Sequence, residues 1–225
     1  MRKRVYKFTK AQHGISSLAE KRLKLTTIDG LNDPFDLCPL DTADPAISEA
    51  AEAITSELWK ATGILCFSRN WDNLLLWSHY GDSHRGVCLG FDINEGVSGL
   101  NYQTDVLYQP NLLQIRCRED VNEDLASRLG RTKHESWSYE QEVRMFVHLN
   151  DPPDGKNLNW INFGAELVLK EVIIGATCDP RTGNKIAAAA ECYGNAVKCW
   201  WAGMRTDAFL LVKQDHPPEW HARVG

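Results

Sequence analysis

Trp77-Ser78-His79-Tyr80-Gly81-Asp82-Ser83-His84-Arg85-Gly86-Val87-Cys88-Leu89-Gly90-Phe91-Asp92 carries a helix into a strand. Residues 74–80 have the spacing of a short amphipathic helix, Gly86 interrupts it, and residues 87–91 read as a buried strand. The same stretch gathers two His, an Arg, a Tyr and a Trp at the mouth of that strand. Stacking surfaces and donors on a rigid base are what a ligand site needs. An ordinary helix-to-strand turn accounts for the same residues and, taken alone, is the commoner arrangement.

Working outward, the N-terminal side alternates short strands and helices. Strands are expected at 5–8, 23–28 and 64–68, and helices at 14–23 and 45–61. Pro45 opens the second helix and Gly63 follows its end. Leu31-Asn32-Asp33-Pro34-Phe35-Asp36 is turn chemistry, and Asp72 is placed to cap the helix at 73–80. The C-terminal side is richer in strands, expected at 106–108, 139–149, 167–174, and a hairpin of 197–201 with 209–213. Helices are expected at 119–132 and 180–193, and Asp151-Pro152-Pro153-Asp154-Gly155 breaks the chain. No repeat or long linker divides residues 1–225, which predicts a single α+β domain with a loose tail at 214–225.

Composition narrows the function classes. The 225 residues are 43% hydrophobic and 24% charged, enough for a substantial core. A net charge of −5 disfavours broad electrostatic binding to nucleic acid, though a local patch such as Arg2, Lys3, Arg4 and Lys10 stays open. No apolar run is long enough to span a bilayer and the N-terminus lacks a signal-peptide core, so a cytoplasmic protein is expected. Seven cysteines without CxxC spacing, and histidines without a ligand pattern, predict reduced thiols and no metal site.

Four clusters hold the candidate chemistry. Tyr6-Lys7-Phe8 ends the first strand; Lys7 is either an exposed strand lysine or a cation for phosphate or amide groups. Ser68 and Arg69 follow a buried strand, as a terminus or as a cleft-edge hydroxyl and cation. Trp77, His79 and Tyr80 form the third cluster. In Tyr139-Glu140-Gln141-Glu142-Val143-Arg144 the spacing puts Glu140, Glu142 and Arg144 on one strand face. That face is either a solvated ion pair or a site that stabilises positive charge in a transition state.

Tyr6-Lys7-Phe8, Leu31 to Asp36, Cys66-Phe67-Ser68, Trp77-Ser78-His79-Tyr80, Gly86 to Phe91 and Tyr139 to Arg144 together resemble a bacterial family of unknown function associated with abortive phage infection. The opening strand–helix–strand also resembles toxin-type ADP-ribosyltransferases. That second resemblance implies a split mixed or antiparallel sheet with flanking helices and NAD consumed as a substrate. Lys7 stands where those proteins carry His or Arg, with Arg4 an alternative ahead of the expected strand; Phe67-Ser68 matches their later motif and Glu142 their catalytic carboxylate.

The implied site has Trp77 or Tyr80 stacking on nicotinamide, and Ser68 and Lys7 holding the ribose or pyrophosphate. Tyr6, Phe8, Arg69 and His79 complete the cofactor pocket, and Glu140 positions the acceptor. The expected activity is transfer of ADP-ribose to RNA, DNA or protein in phage defence, with an antitoxin as a further partner. Two other readings stand beside it: an inactive module that senses a nucleotide or a phage protein, and a nucleotide hydrolase.

Overall fold

The computed structural model describes residues 2–27, 30–36, 40–42, 44–94, 102–149 and 159–218. Its elements run β1 (Arg2–Thr9), α1 (Ala11–Glu20), β2 (Arg22–Lys24), β3 (Leu40–Asp41), α2 (Pro45–Lys60), β4 (Thr62–Ser68), α3 (Leu74–His79) and β5 (Val87–Asn94). They continue with β6 (Tyr102–Asp105), β7 (Leu107–Gln109), β8 (Leu113–Gln114), α4 (Glu123–Arg131), β9 (Thr132–His134), β10 (Glu142–His148) and β11 (Trp160–Asn162). The last are β12 (Leu167–Ile174), α5 (Pro180–Glu191), β13 (Lys198–Met204) and β14 (Leu211–Gln214). This is an α+β architecture. No helix among the described residues is long and apolar enough to cross a membrane.

Contacts gather into two compact units, each assembled from separate stretches of chain. The first comprises Met1–Leu23, Phe67–Glu95 and Ile161–Gly225. Its sheet has the order β14-β13-β12-β5-β1, with Ser68 at the end of β4 opposite Tyr6. β1 and β5 are antiparallel over their whole length, and β5 pairs antiparallel with β12. β12 and β13 are parallel because α5 crosses between them, while β13 and β14 form the antiparallel hairpin read from the sequence. Val5, Leu18, Val87, Leu89, Phe91, Ile173 and Ile186 are buried here. Asp179 caps α5 through the Arg181 and Thr182 N–H groups, and Pro180 occupies the first turn, where its missing N–H costs nothing.

The second unit comprises Lys24–Cys66 and Gly96–Trp160. There β4 neighbours β10, and β10 pairs antiparallel with β6 from Val143↔Asp105 to Phe146↔Tyr102. β3–β8 and β7–β9 are short parallel pairs. Asp44 and Pro45 start α2, and Asn122 starts α4 by accepting from the Leu125 N–H. The two helices bury Ile47, Ala51, Leu125 and Leu129 against Ile115.

Several boundaries differ from the sequence expectation for local reasons. The strand expected at 139–149 begins at Glu142, because residues Glu135–Glu140 form a 3-10 turn and Gln141 takes a left-handed φ of 43°. Both faces of β10 are buried, so its alternation does not mark an exposed side. Asn73, not Asp72, caps α3, accepting from the Leu75 and Leu76 N–H groups. The helix expected at 119–132 is split by Val121 and Asn122 into a 3-10 turn and α4. Residues 151–155 and the end of the tail from 219 lie outside the described residues.

The opening stretch folds as a helix turning into a strand through a strained turn. Asp82, Ser83 and His84 have φ of 52°, 53° and 67°, left-handed conformations that cost L-residues energy. The turn is pinned on both sides. The His84 N–H donates to Trp77 O at 3.1 Å and the Gly86 N–H to Gly81 O at 2.8 Å. Thr177 donates its N–H to His84 O at 3.0 Å and its hydroxyl to Ser83 O at 3.1 Å. Ser83 is exposed. Ser83→Gly is expected to leave those bonds in place and stabilise the fold by up to about 1 kcal/mol, whereas Ser83→Val destabilises it by at least as much. Paired denaturant titrations check this; a glycine variant less stable than the valine variant refutes the strain.

Candidate functional site

Two polar constellations stand out, one in each unit. In the second unit, Arg144 on β10 is wholly buried. Its Nε and Nη2 donate to the two oxygens of Glu142 at 2.8 and 3.1 Å, Nη1 to Gly130 O at 3.0 Å, and Nη2 also to Asp36 Oδ1 at 2.5 Å. Lys133 on β9 donates to Glu140 Oε2 at 2.7 Å and to Glu142 Oε2 at 3.4 Å, and lies 3.6 Å from Asp36 Oδ2. The Glu142 N–H donates to the Tyr108 hydroxyl at 2.8 Å.

Burial alone would push the Glu142 carboxyl up; the guanidinium of Arg144, with help from Lys133 and Cys66, overrides it and holds the carboxyl near 2. Burial likewise works against the charge of Lys133 and Arg144, and the carboxylates around them raise both above their ordinary values. Burial also lifts the Tyr108 phenol to about 12. The Glu142 side chain is 4% exposed and both oxygens are engaged by fixed cations. That geometry ties β9, β10 and the 31–36 turn together.

The first unit presents its polar groups on a sheet face. Ser68, Tyr6, Gly90 and Glu171 stand opposite one another across β4, β1, β5 and β12, so their side chains share that face. Tyr6 leans over Gly90: a Cβ there would sit 3.1 Å from Tyr6 Cε1 and 3.0 Å from Glu171 Cβ. The missing side chain lets the Tyr6 hydroxyl donate to Glu171 Oε2 at 3.2 Å.

Lys213 on β14 donates to both Glu171 oxygens at 2.9 Å. Its ammonium lies 5.1 Å from the Trp71 ring centroid. It reaches β12 past Ala202, the small residue opposite it on β13. Arg4 bonds Asp92 at 2.5 Å and lies 3.2 Å from Glu171. Burial and the Glu171 charge push the Tyr6 phenol up to about 12 against the opposing pull of Arg4. These side chains are reachable from solvent: Arg4 is 34%, Asp92 and Lys213 22%, and Glu171 15% exposed.

The expected residues distribute unevenly over this picture. Tyr6 and Ser68 fall in the Glu171 row; Ser68 is buried and its hydroxyl oxygen accepts from the Asn70 N–H at 3.1 Å. Lys7 pairs with Leu89 on the opposite face, and Arg69 lies beyond the strand. Phe8 and Trp77 are core, ring edge to face at 5.1 Å, with the Trp77 indole N–H donating to Trp71 O at 2.7 Å. Trp77 has no exposed surface for stacking. His79 lies at the end of α3 beside Tyr80, the rings 6.2 Å apart. Glu140 and Glu142 belong to the second unit's buried cluster.

Arg4 lies inside β1, which begins at Arg2, rather than ahead of it. Glu171, Lys213, Asp92 and Trp71 were not singled out. One signal for Glu171 was present: Lys170-Glu171 interrupts an otherwise apolar strand, and the pairing with β5 shifts register there, as at a β-bulge.

The buried cluster makes a two-part prediction. Glu142→Ala takes from Arg144 and Lys133 one of the two carboxylates they share and is expected to cost about 3–5 kcal/mol of stability. For the wild type, the folded carboxyl near 2 lies below its ordinary value near 4.5. The stabilisation from Glu142 is therefore present above about pH 4.5 and drains away as pH falls toward 2. Denaturant titrations across that window check the sign; Glu142→Gln should flatten the pH dependence, and an unchanged slope removes Glu142 from acid unfolding.

Residues 76–145 match the model of a family described as "Protein of unknown function (DUF2971)". The match runs from α3 to β10, taking in the strained turn, Glu140, Glu142 and Arg144, but not the Tyr6, Ser68 or Glu171 positions. No curated protein and no solved structure matches the chain.

Proposed function

We propose that this protein binds an NAD-type dinucleotide on the sheet face around Glu171 and breaks its nicotinamide–ribose bond there. One observation carries the reading: a partly exposed carboxylate is held between Arg4 and Lys213, beside Tyr6 and Trp71. Glu171 is the hydrogen-bond acceptor for a ribose hydroxyl, and the two cations match a pyrophosphate. Trp71 offers a ring for stacking. As the C1′–N bond breaks, nicotinamide leaves neutral with the bonding pair, and Glu171 stabilises the oxocarbenium left behind. An acceptor nucleophile then bonds to C1′ and releases its proton. Tyr6 remains in the proposed site, the catalytic carboxylate passes from Glu142 to Glu171, and buried Ser68 braces the end of β4 through the Asn70 N–H.

Transfer to RNA, DNA or protein in phage defence, with an antitoxin partner, extends this proposal by sequence resemblance alone. The inactive sensing module is the second reading, favoured by the satisfied state of Glu171, which already accepts from Lys213 and Tyr6.

Incubation with NAD, following both binding and nicotinamide release, separates the two. Release that falls on the order of 10²–10³-fold in Glu171→Gln, while a folded Glu142→Gln retains it, supports the enzyme. Binding without release, weakened on the order of tenfold in Glu171→Gln, supports the module. Failure of NAD to bind the wild-type protein refutes the enzyme and leaves the module only as a sensor of another nucleotide or of a protein.

A further inference from the structure

We propose that the second unit carries a separate pocket for a nucleobase, taken as an uncharged nucleoside or as an unpaired base of single-stranded nucleic acid. This stands independently of the Glu171 site. The cavity has a volume of about 400 Å³ and is lined by Phe35, Trp137, Leu112, Asp33, Gln109 and His134, among others. That volume lies within the range of small-molecule sites, which pair apolar and aromatic walls with a few placed polar groups.

The walls are unusual for a surface with no ligand to cover. Phe35 is 62% and Leu112 39% exposed, yet both lie at this cavity. Phe35 is set by its own turn, its N–H donating to the buried carboxylate of Asp33 at 3.0 Å. Trp137 is set by Lys133, whose ammonium lies 4.8 Å from the ring centroid. Two positioned aromatic side chains suit a flat π-system.

The polar groups suit a base edge. Gln109 donates one amide N–H to Asn111 O at 2.6 Å; the same amide carries a carbonyl acceptor and a second N–H. His134 Nδ1 accepts from the Ser136 N–H at 3.3 Å, so the proton of the neutral ring sits on Nε2 as a donor. Asp33 adds a second acceptor. Exocyclic amines and ring nitrogens or carbonyls are their complements.

The charge selects against phosphate. Lys133 lines the cavity but is held by Glu140, Glu142 and Asp36 at 2.7, 3.4 and 3.6 Å. An anion there would meet the Asp33 carboxylate and an ammonium already shared among three other carboxylates. The base therefore enters without a phosphate beside it in the pocket.

The test measures binding of adenosine, guanosine, cytidine and uridine, of AMP, and of a mixed-sequence single-stranded oligonucleotide. The proteins are wild type, Phe35→Ala and Trp137→Leu. Phe35 is exposed, so its truncation leaves the core intact. At least one nucleoside is expected to bind, to weaken about tenfold or more in Phe35→Ala, and to bind better than its monophosphate. Oligonucleotide binding that a free nucleoside displaces, with the same Phe35 dependence, assigns the base to single-stranded nucleic acid. Glu171→Gln should leave nucleoside binding unchanged, so failure here is distinguishable from failure of the NAD reading. No binding of any nucleoside or oligonucleotide at millimolar concentration, or binding indifferent to both substitutions, overturns the pocket.

Discussion

Arg144 carries a full positive charge with no surface exposed to water, and the second unit is organised around that fact. A guanidinium loses its hydration on burial and recovers it only through well-aimed acceptors. Here they come from places far apart in sequence: Glu142 beside it on β10, Asp36 from the 31–36 turn, and Gly130 O at the end of α4. Lys133 follows on β9 and closes on the same carboxylates. Removing one member strands charge on the others, so these elements are coupled more tightly than their short strand pairings would make them. An apolar core of the same volume would be about as stable. What the ionic cluster adds is register, because each partner accepts only the geometry that satisfies it.

The two glutamates that matter most, Glu142 and Glu171, show why the identity of a residue does not fix its use. Both accept hydrogen bonds from an amine, and both have an arginine nearby. Glu142 meets its partners in a buried setting, where the lower dielectric strengthens every pair. Glu171 meets its partners on a sheet face, where Arg4, Asp92 and Lys213 keep part of their surface in water. Ion pairs of that kind contribute little to stability. They are also the kind a ligand can rearrange, because exchanging one partly hydrated partner for another costs little.

Periodicity and punctuation made most of the fold legible. α2, α5, β12 and the β13–β14 hairpin follow directly from apolar spacing, Pro45, Pro180 and the alternating C-terminal runs. The segment at 74–91 was legible as helix, turn and strand, and its aromatic Trp77 went to the core, as amphipathic spacing requires. The start of β10 was not legible: a 3-10 turn and one left-handed residue move Glu140 off the strand, and neither leaves a periodic trace. The candidate site was legible only as far as Tyr6 and Ser68. Glu171, Lys213 and Asp92 sit on β12, β14 and β5, which a long-range pairing order brings into one sheet with β1, and spacing within one strand carries no information about its neighbours. The two units interleave in sequence, so no linker marks them.

The polar row across the first unit's sheet presents a physical problem of its own. β12 and β5 are largely apolar, and a face meant only for packing would be simpler with Leu or Val at 90 and 171 and at 213 on β14. Instead Gly90 gives up its side chain so that Tyr6 can meet Glu171, and small Ala202 lets Lys213 lie across to it. A shift of register between Leu169 and Glu171 precedes the glutamate, at the expense of regular pairing. Each of these choices weakens the sheet as a structural element, by lost packing or by partly desolvated charge. Together they hold one carboxylate in one orientation, between two cations, within reach of solvent. Stability alone gives no reason for that combination. The proposed recognition of a ligand with both hydroxyl and anionic groups would draw on that carboxylate and on both cations.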